Sequence, residues 1–182
     1  MTTLMNREKL EELFVQLESK LNRSARLCLF GSSPGILLGQ PDRQTQDLDV
    51  WRNSSSYDAS DLKRAMADLG VLWNPMHPPK GGPIYLQVVV PGIVNFPHNL
   101  DTAPVYQRGK LTIVMPKPVI LSAAKLVRAE EKDLRDICWW MQHASFSLKH
   151  LEESGVNRLA NPEQREIARR NLVLVRVHTG EG

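Results

Sequence analysis

The chain has 182 residues, 42% of them hydrophobic, which suffices for one sizeable core, so that one domain with a helical appendage is expected. Its 23 basic and 20 acidic residues leave a formal charge of +3 and an isoelectric point near 9.0, a balance that permits contact with nucleic acid without demanding it. Only two cysteines are present, Cys28 and Cys138, both in apolar surroundings; this excludes a disulfide framework and reads as buried free thiols of a reduced cytoplasm.

In chain order, Leu10, Leu13, Phe14, Leu17 and Leu21 recur at helical spacing within a charged N-terminal stretch that has no export-signal pattern, so an amphipathic helix and a cytoplasmic location are expected. Residues 24–30 form an apolar run suited to a buried strand, followed by the turn Gly31-Ser32-Ser33 and a short helical run at 35–39. A strand over 47–51 and a helix over about 59–69, with Leu62, Ala65, Met66 and Leu69 on one side, come next. Residues 73–83 are too rich in Pro and Gly for regular structure. A strand over 84–90 follows, then a hairpin of 105–108 and 110–114 joined at Gly109. Beyond Pro118 the chain turns helical, with a continuous helix expected over 121–140, a stop at Gly155, and a last helix opened by Asn161-Pro162 with a capping-box Gln164. The longest apolar run, 88–94, is interrupted by Pro91 and Gly92 and falls far below the roughly 20 residues of a membrane span, so no membrane association is expected.

The chemistry concentrates in the first half. Alternation along a strand puts Asp47 and Asp49 on one face while Leu48 and Val50 face the core. Two carboxylates so close repel unless a cation lies between them, and oxygen ligands at this spacing suit Mg²⁺ or Mn²⁺. The Gly31-Ser32 turn at a helix start favours anions through exposed amides. Ser32 has no nucleophile elbow around it and reads as a phosphate ligand. The five histidines have no zinc-ligand spacing. In the second half, a helix over 121–140 would gather Lys125, Arg128, Lys132 and Asp136 within a sector of about 80°, with Asp133 at its border, as a mixed stripe of cations and carboxylates opposite an apolar one. The same stripe is equally readable as a solvated face laced with salt bridges. Further basic residues, Arg165, Arg169 and Arg170, would suit a triphosphate or an RNA backbone.

Gly31-Ser32 and the segment Arg43-Gln-Thr45-Gln-Asp47-Leu-Asp49, joined to Lys125-Leu-Val-Arg128 and Lys132-Asp133-Leu-Arg-Asp136, resemble the nucleotidyltransferase fold of the DNA-polymerase-β-like superfamily. Among its members they are most similar to small bacterial nucleotidyltransferases of abortive-infection and toxin–antitoxin systems. The resemblance implies an α/β (α+β) fold, a small mixed sheet flanked by helices. It divides the chain into an α/β core over 1–116 and a helical portion over 117–182 packed on it as one structural unit. It further implies a metal-dependent transfer of NMP from an NTP to RNA, tRNA included, or to a protein acceptor, and a cognate toxin or antitoxin partner. Asp47 and Asp49 would hold Mg²⁺ or Mn²⁺ and act in catalysis with Lys125 and Asp136; Gly31, Ser32, Ser33, Arg43, Lys125 and Arg128 would bind the nucleotide. The superfamily's third carboxylate has no match on strand 84–90, whose central polar residue is Gln87; Asp101 is the substitute suggested by sequence distance. A neutral amide cannot act as a base, so the alternative expectation is a catalytically degenerate binding module, an antitoxin-like or defence partner. A drug-modifying nucleotidyltransferase would need an acidic pocket for a cationic drug, which the mildly basic composition does not favour.

Overall fold

The computed structural model describes residues 4–77 and 81–180; Pro78, Pro79 and Lys80 of the Pro- and Gly-rich loop, and the first three residues of the N-terminal stretch, lie outside the described residues. The chain divides into two compact units, 1–90 with 102–115 and 91–101 with 116–182.

The first unit contains α1 (Arg7–Lys20), β1 (Ala25–Phe30), α2 (Ser33–Leu37), β2 (Asp47–Trp51), α3 (Ala59–Asp68), β3 (Leu72–Trp73), β4 (Tyr85–Val89), β5 (Thr102–Arg108) and β6 (Leu111–Pro116). The six strands form one mixed sheet in the order β3-β4-β2-β1-β6-β5, as expected of the fold class. β1 runs antiparallel to β2 and parallel to β6, and β4 runs parallel to both β2 and β3. The pair Leu72-Trp73 corrects the expectation that the loop begins at Trp73: backbone pairing to β4 recruits it as an edge strand.

One face of this sheet is the core. Leu27, Leu29, Leu48, Val50 and Leu86 are buried in a single cluster with Leu10, Leu13, Phe14 and Leu17 of α1 and Leu62, Ala65 and Met66 of α3. Period 2 in the strands and period 3.6 in the helices aim these residues at one another, so the other face of β2 and β4 is left to Asp47, Asp49, Tyr85 and Gln87. Cys28 is buried, and burial pushes its thiol up to about 12; Cys138 is only half-buried, contrary to expectation.

The connection from α1 to β1 is tied down by Asp61. Its carboxylate accepts the backbone N–H groups of Asn22 and Arg23, both at 2.9 Å, and the Arg64 guanidinium at 2.7 Å. Arg64 first, then the Arg23 amide, hold this carboxyl down at about 2. A value below that of the unfolded chain means the stabilisation is complete above about pH 4 and is lost as the pH falls through the folded value.

The second unit contains α4 (Pro118–Leu126), α5 (Glu131–His143), α6 (Leu148–His150), which runs into a π turn at Leu151–Gly155, and α7 (Pro162–Thr179). The continuous helix expected over 121–140 is two helices. Ala129 adopts a left-handed φ of 51°, and Glu130 opens α5 with a reciprocal capping box to Asp133. The expected stripe therefore does not exist as one helix face. Gly155 sits so close to α4 that a Cβ there would lie 2.7 Å from the Val119 carbonyl. α7 opens with the expected Asn161 cap and Pro162, the Asn161 side chain accepting the Gln164 N–H at 3.0 Å. Among the described residues no helix is long and apolar enough to cross a membrane.

Asp61→Asn is expected to lower the melting temperature near neutral pH, with the gap to the parent chain closing as the pH falls toward 2; circular-dichroism melts across that range check it.

Candidate functional site

Asp47 and Asp49 stand half-buried on the same face of β2, each flanked by fully or nearly fully buried Leu48 and Val50 on the other. In register, Asp47 lies beside Tyr85 and Asp49 beside Gln87 of β4, with Phe30 of β1 on the other side of Asp49. β1 ends in Gly31 at φ +71°, and a Cβ built on Gly31 would lie 2.5 Å from Asp49 Oδ2. Only glycine allows both the left-handed turn and that approach of carboxylate to backbone. The Gly-Ser turn and the second aspartate thus lie against one another.

The Asp47 carboxylate is held from two sides. The Thr45 hydroxyl donates a short hydrogen bond to Oδ1, and the Tyr85 hydroxyl donates to Oδ2 at 3.3 Å. Thr45 is itself buried and fixed by a two-way backbone pairing with Met5 at 2.7 and 3.0 Å. Burial, reinforced by the charge and hydrogen bond of Asp47, pushes the Tyr85 phenol up to about 12, which keeps it a donor at neutral pH. Ser33, expected at the nucleotide, is buried with its hydroxyl donating to the Asp47 carbonyl at 3.2 Å, tying α2 to β2. Arg43 donates to the Ser32 hydroxyl at 3.0 Å, which joins these two expected nucleotide ligands. The donors on this face are two carboxylates and the Gln87 amide, all oxygen, a set that fits a hard divalent cation. No group of three or more His, Cys, Asp or Glu side chains is gathered for a metal among the described residues.

In the second unit, Lys125 at the end of α4 reaches Asp136 of α5 at 2.8 Å and Asp133 at 3.8 Å, while Arg128 grips Asp133 with two bonds of 2.7 Å. The side chains of Asp133 and Asp136 are 0% and 2% exposed and that of Lys125 is 12% exposed, so this part of the charged stripe is a buried network, while Arg128 and Lys132 are exposed. Burial alone would raise the Asp133 carboxyl, yet the Arg128 hydrogen bonds and the Lys125 charge outweigh it and hold it below the usual carboxylate range. Lys132 pairs with Glu130 at 3.2 Å, and Arg169 and Arg170 both lean on Glu166. Asp101, the substitute suggested for a third carboxylate, pairs with Lys117 at 3.5 Å and Arg158 at 3.4 Å.

The model of a family described as "Nucleotidyltransferase of unknown function (DUF6036)" matches residues 8–175. The chain belongs to this nucleotidyltransferase family. None of the curated proteins and none of the solved structures compared with it matches the chain. The family match spans both the Asp-x-Asp strand and the Lys125 segment, and the mixed sheet agrees with the nucleotidyltransferase fold.

Sequence reasoning missed Tyr85. Its signal was available: it stands two residues before Gln87 in the same strand, and alternation puts both on one face.

Gly31→Ala is expected to destabilise the fold by at least about 1–2 kcal/mol from the left-handed turn alone, more once Asp49 is displaced, as read by urea unfolding. For Asp133→Asn the expected loss is about 1–3 kcal/mol, since the Arg128 left behind is 55% exposed and Lys125 keeps Asp136. The depressed carboxyl makes that stabilisation present above the unfolded value near 3.9 and lost as the pH falls through the folded value, so parent and variant melts should converge in acid.

Proposed function

We propose that this chain is a metal-dependent nucleotidyltransferase that moves NMP from an NTP substrate to a hydroxyl of RNA, tRNA included, or of a protein, within a toxin–antitoxin or phage-defence system that supplies a cognate partner. The observation that carries the proposal is the contact of the Asp-x-Asp strand with the Gly31 turn, in a member of a nucleotidyltransferase family.

Asp47 and Asp49 would hold Mg²⁺ or Mn²⁺. When bound, such an ion supplies neutralisation of phosphate charge and Lewis-acid stabilisation of the transferring phosphoryl group. Thr45 and Tyr85 keep the Asp47 carboxylate in one orientation, so no reorganisation is needed on loading. Gly31 offers close backbone approach, and the Ser32 hydroxyl, backed by Arg43, offers a donor to phosphate. The acceptor hydroxyl displaces pyrophosphate at the α-phosphate. Lys125, Arg128 and Asp136 enter the proposal through their motif alone.

Gln87 favours a second reading, a binding module without turnover, because no carboxylate faces Asp49 from β4. Transfer of α-phosphate label from each of the four NTPs to total RNA or protein is expected with the parent chain and to fall at least about 100-fold in Asp47→Ala and Asp49→Ala. Label that persists in both overturns the enzyme reading; tight Mg²⁺-dependent nucleotide binding by calorimetry, with no pyrophosphate released, supports the module.

A further inference from the structure

Resting on the reading of RNA as the acceptor, we infer that the outer face of α5 docks single-stranded RNA, with the stacked rings of Trp139 and His143 as the platform for an unpaired base. At about 100° per residue, Lys132, Arg135, Trp139 and His143 fall within about 80° of one another on α5. Burial agrees with that projection. Lys132, Arg135 and His143 are exposed and Trp139 is half-buried, whereas Leu134, Ile137, Trp140 and Met141 are buried.

The two rings form a column. The His143 imidazole lies over the Trp139 indole with centroids 4.4 Å apart and planes 16° from parallel. Trp140 meets both edge-on, at 4.7 Å from Trp139 and 6.0 Å from His143, and its own burial anchors the pair. One face of the imidazole rests on the indole, and among the described residues no hydrogen bond or ion pair engages the His143 side chain. The residues after it, Ala144 and Ser145, are small and exposed and add no bulk beside the ring. A base laid on the outer face of the imidazole extends a column that is already ordered, so those rings need not be immobilised on binding.

The charge of this face suits a phosphate backbone. Asp133 and Asp136 are turned inward to Arg128 and Lys125, which leaves the outer face to Lys132 and Arg135. Glu131 lies about 40° outside the sector. Lys132 reaches Glu130 at 3.2 Å, while the Arg135 side chain makes no ion pair or hydrogen bond among the described residues. Flat rings beside an unpaired cation bind single strands by stacking the base and neutralising the phosphate. A duplex keeps its bases stacked on one another, and a protein acceptor has no base to offer.

Binding is read by the anisotropy of a fluorescein-labelled oligo(A) RNA of about 12 nucleotides, against an RNA duplex of the same length, in EDTA and without NTP. The parent chain is expected to bind the single strand at least about 10-fold more tightly than the duplex. His143→Ala and His143→Lys are each expected to lose about 10-fold, the second because it keeps a cation but no ring, while His143→Tyr holds the parent affinity. Arg135→Ala is expected to reduce the slope of log affinity against log salt by about 0.7. No binding by the parent, duplex bound as tightly as single strand, His143→Ala matching the parent, or His143→Lys binding more tightly than His143→Tyr overturns the inference. Oligo(dA) bound more tightly than oligo(A) overturns RNA as the occupant. Because neither metal nor NTP is present, such a failure leaves label transfer at Asp47 and Asp49 as a separate result. Should a His143 variant fail to fold, the comparison of single strand with duplex in the parent still decides.

Discussion

The candidate site depends on a steric allowance of one missing atom. Asp49 reaches the end of β1 because Gly31 has no Cβ to meet its carboxylate, and the same residue turns the chain out of the strand with a φ that side chains resist. Remove that allowance and the Asp49 carboxylate must move off the turn, while the register that sets Asp47 beside Tyr85 and Asp49 beside Gln87 stays fixed by β2. The hydrophobic cluster beneath holds that register, since a slip of one residue would turn Leu48 and Val50 out of the core. Core and site therefore specify one another through β2.

The two units hold their carboxylates differently. Asp133 and Asp136 are nearly inaccessible and are matched by Lys125 and Arg128, an arrangement that satisfies itself and joins α4 to α5. Asp47, by contrast, is steadied by two hydroxyls, which orient a carboxylate without cancelling its charge. A charge that is oriented but not cancelled is what a cation-binding group requires, whereas a neutralised one serves chain connection.

Much of this was legible along the chain. Alternation separates Asp47 and Asp49 from Leu48 and Val50, and a strand running into Gly31-Ser32 marks a turn beside an anion-friendly segment, because both patterns are local. Lys125 and Asp136 were also recognisable as partners, but for the wrong geometry. A projection on one ideal helix assumes φ and ψ stay helical from 121 to 140, and the left-handed Ala129 with the Glu130–Asp133 capping box breaks that assumption. Nothing in the helical period reveals such a break, since Ala is a strong helix former and the residues around it keep their spacing.

The sequence by itself determined the class of fold, the face on which the two aspartates stand and the family to which the motifs point, since these follow from side-chain alternation and residue identity. Only the tertiary structure decided which residues flank the aspartates. The parallel register of β4 on β2 sets Gln87 beside Asp49 and brings Tyr85 to Asp47, and the packing of α5 on α4 encloses Lys125 between two carboxylates. Those pairings join residues far apart in the chain, and their distances come from how strands and helices pack, which no local pattern contains.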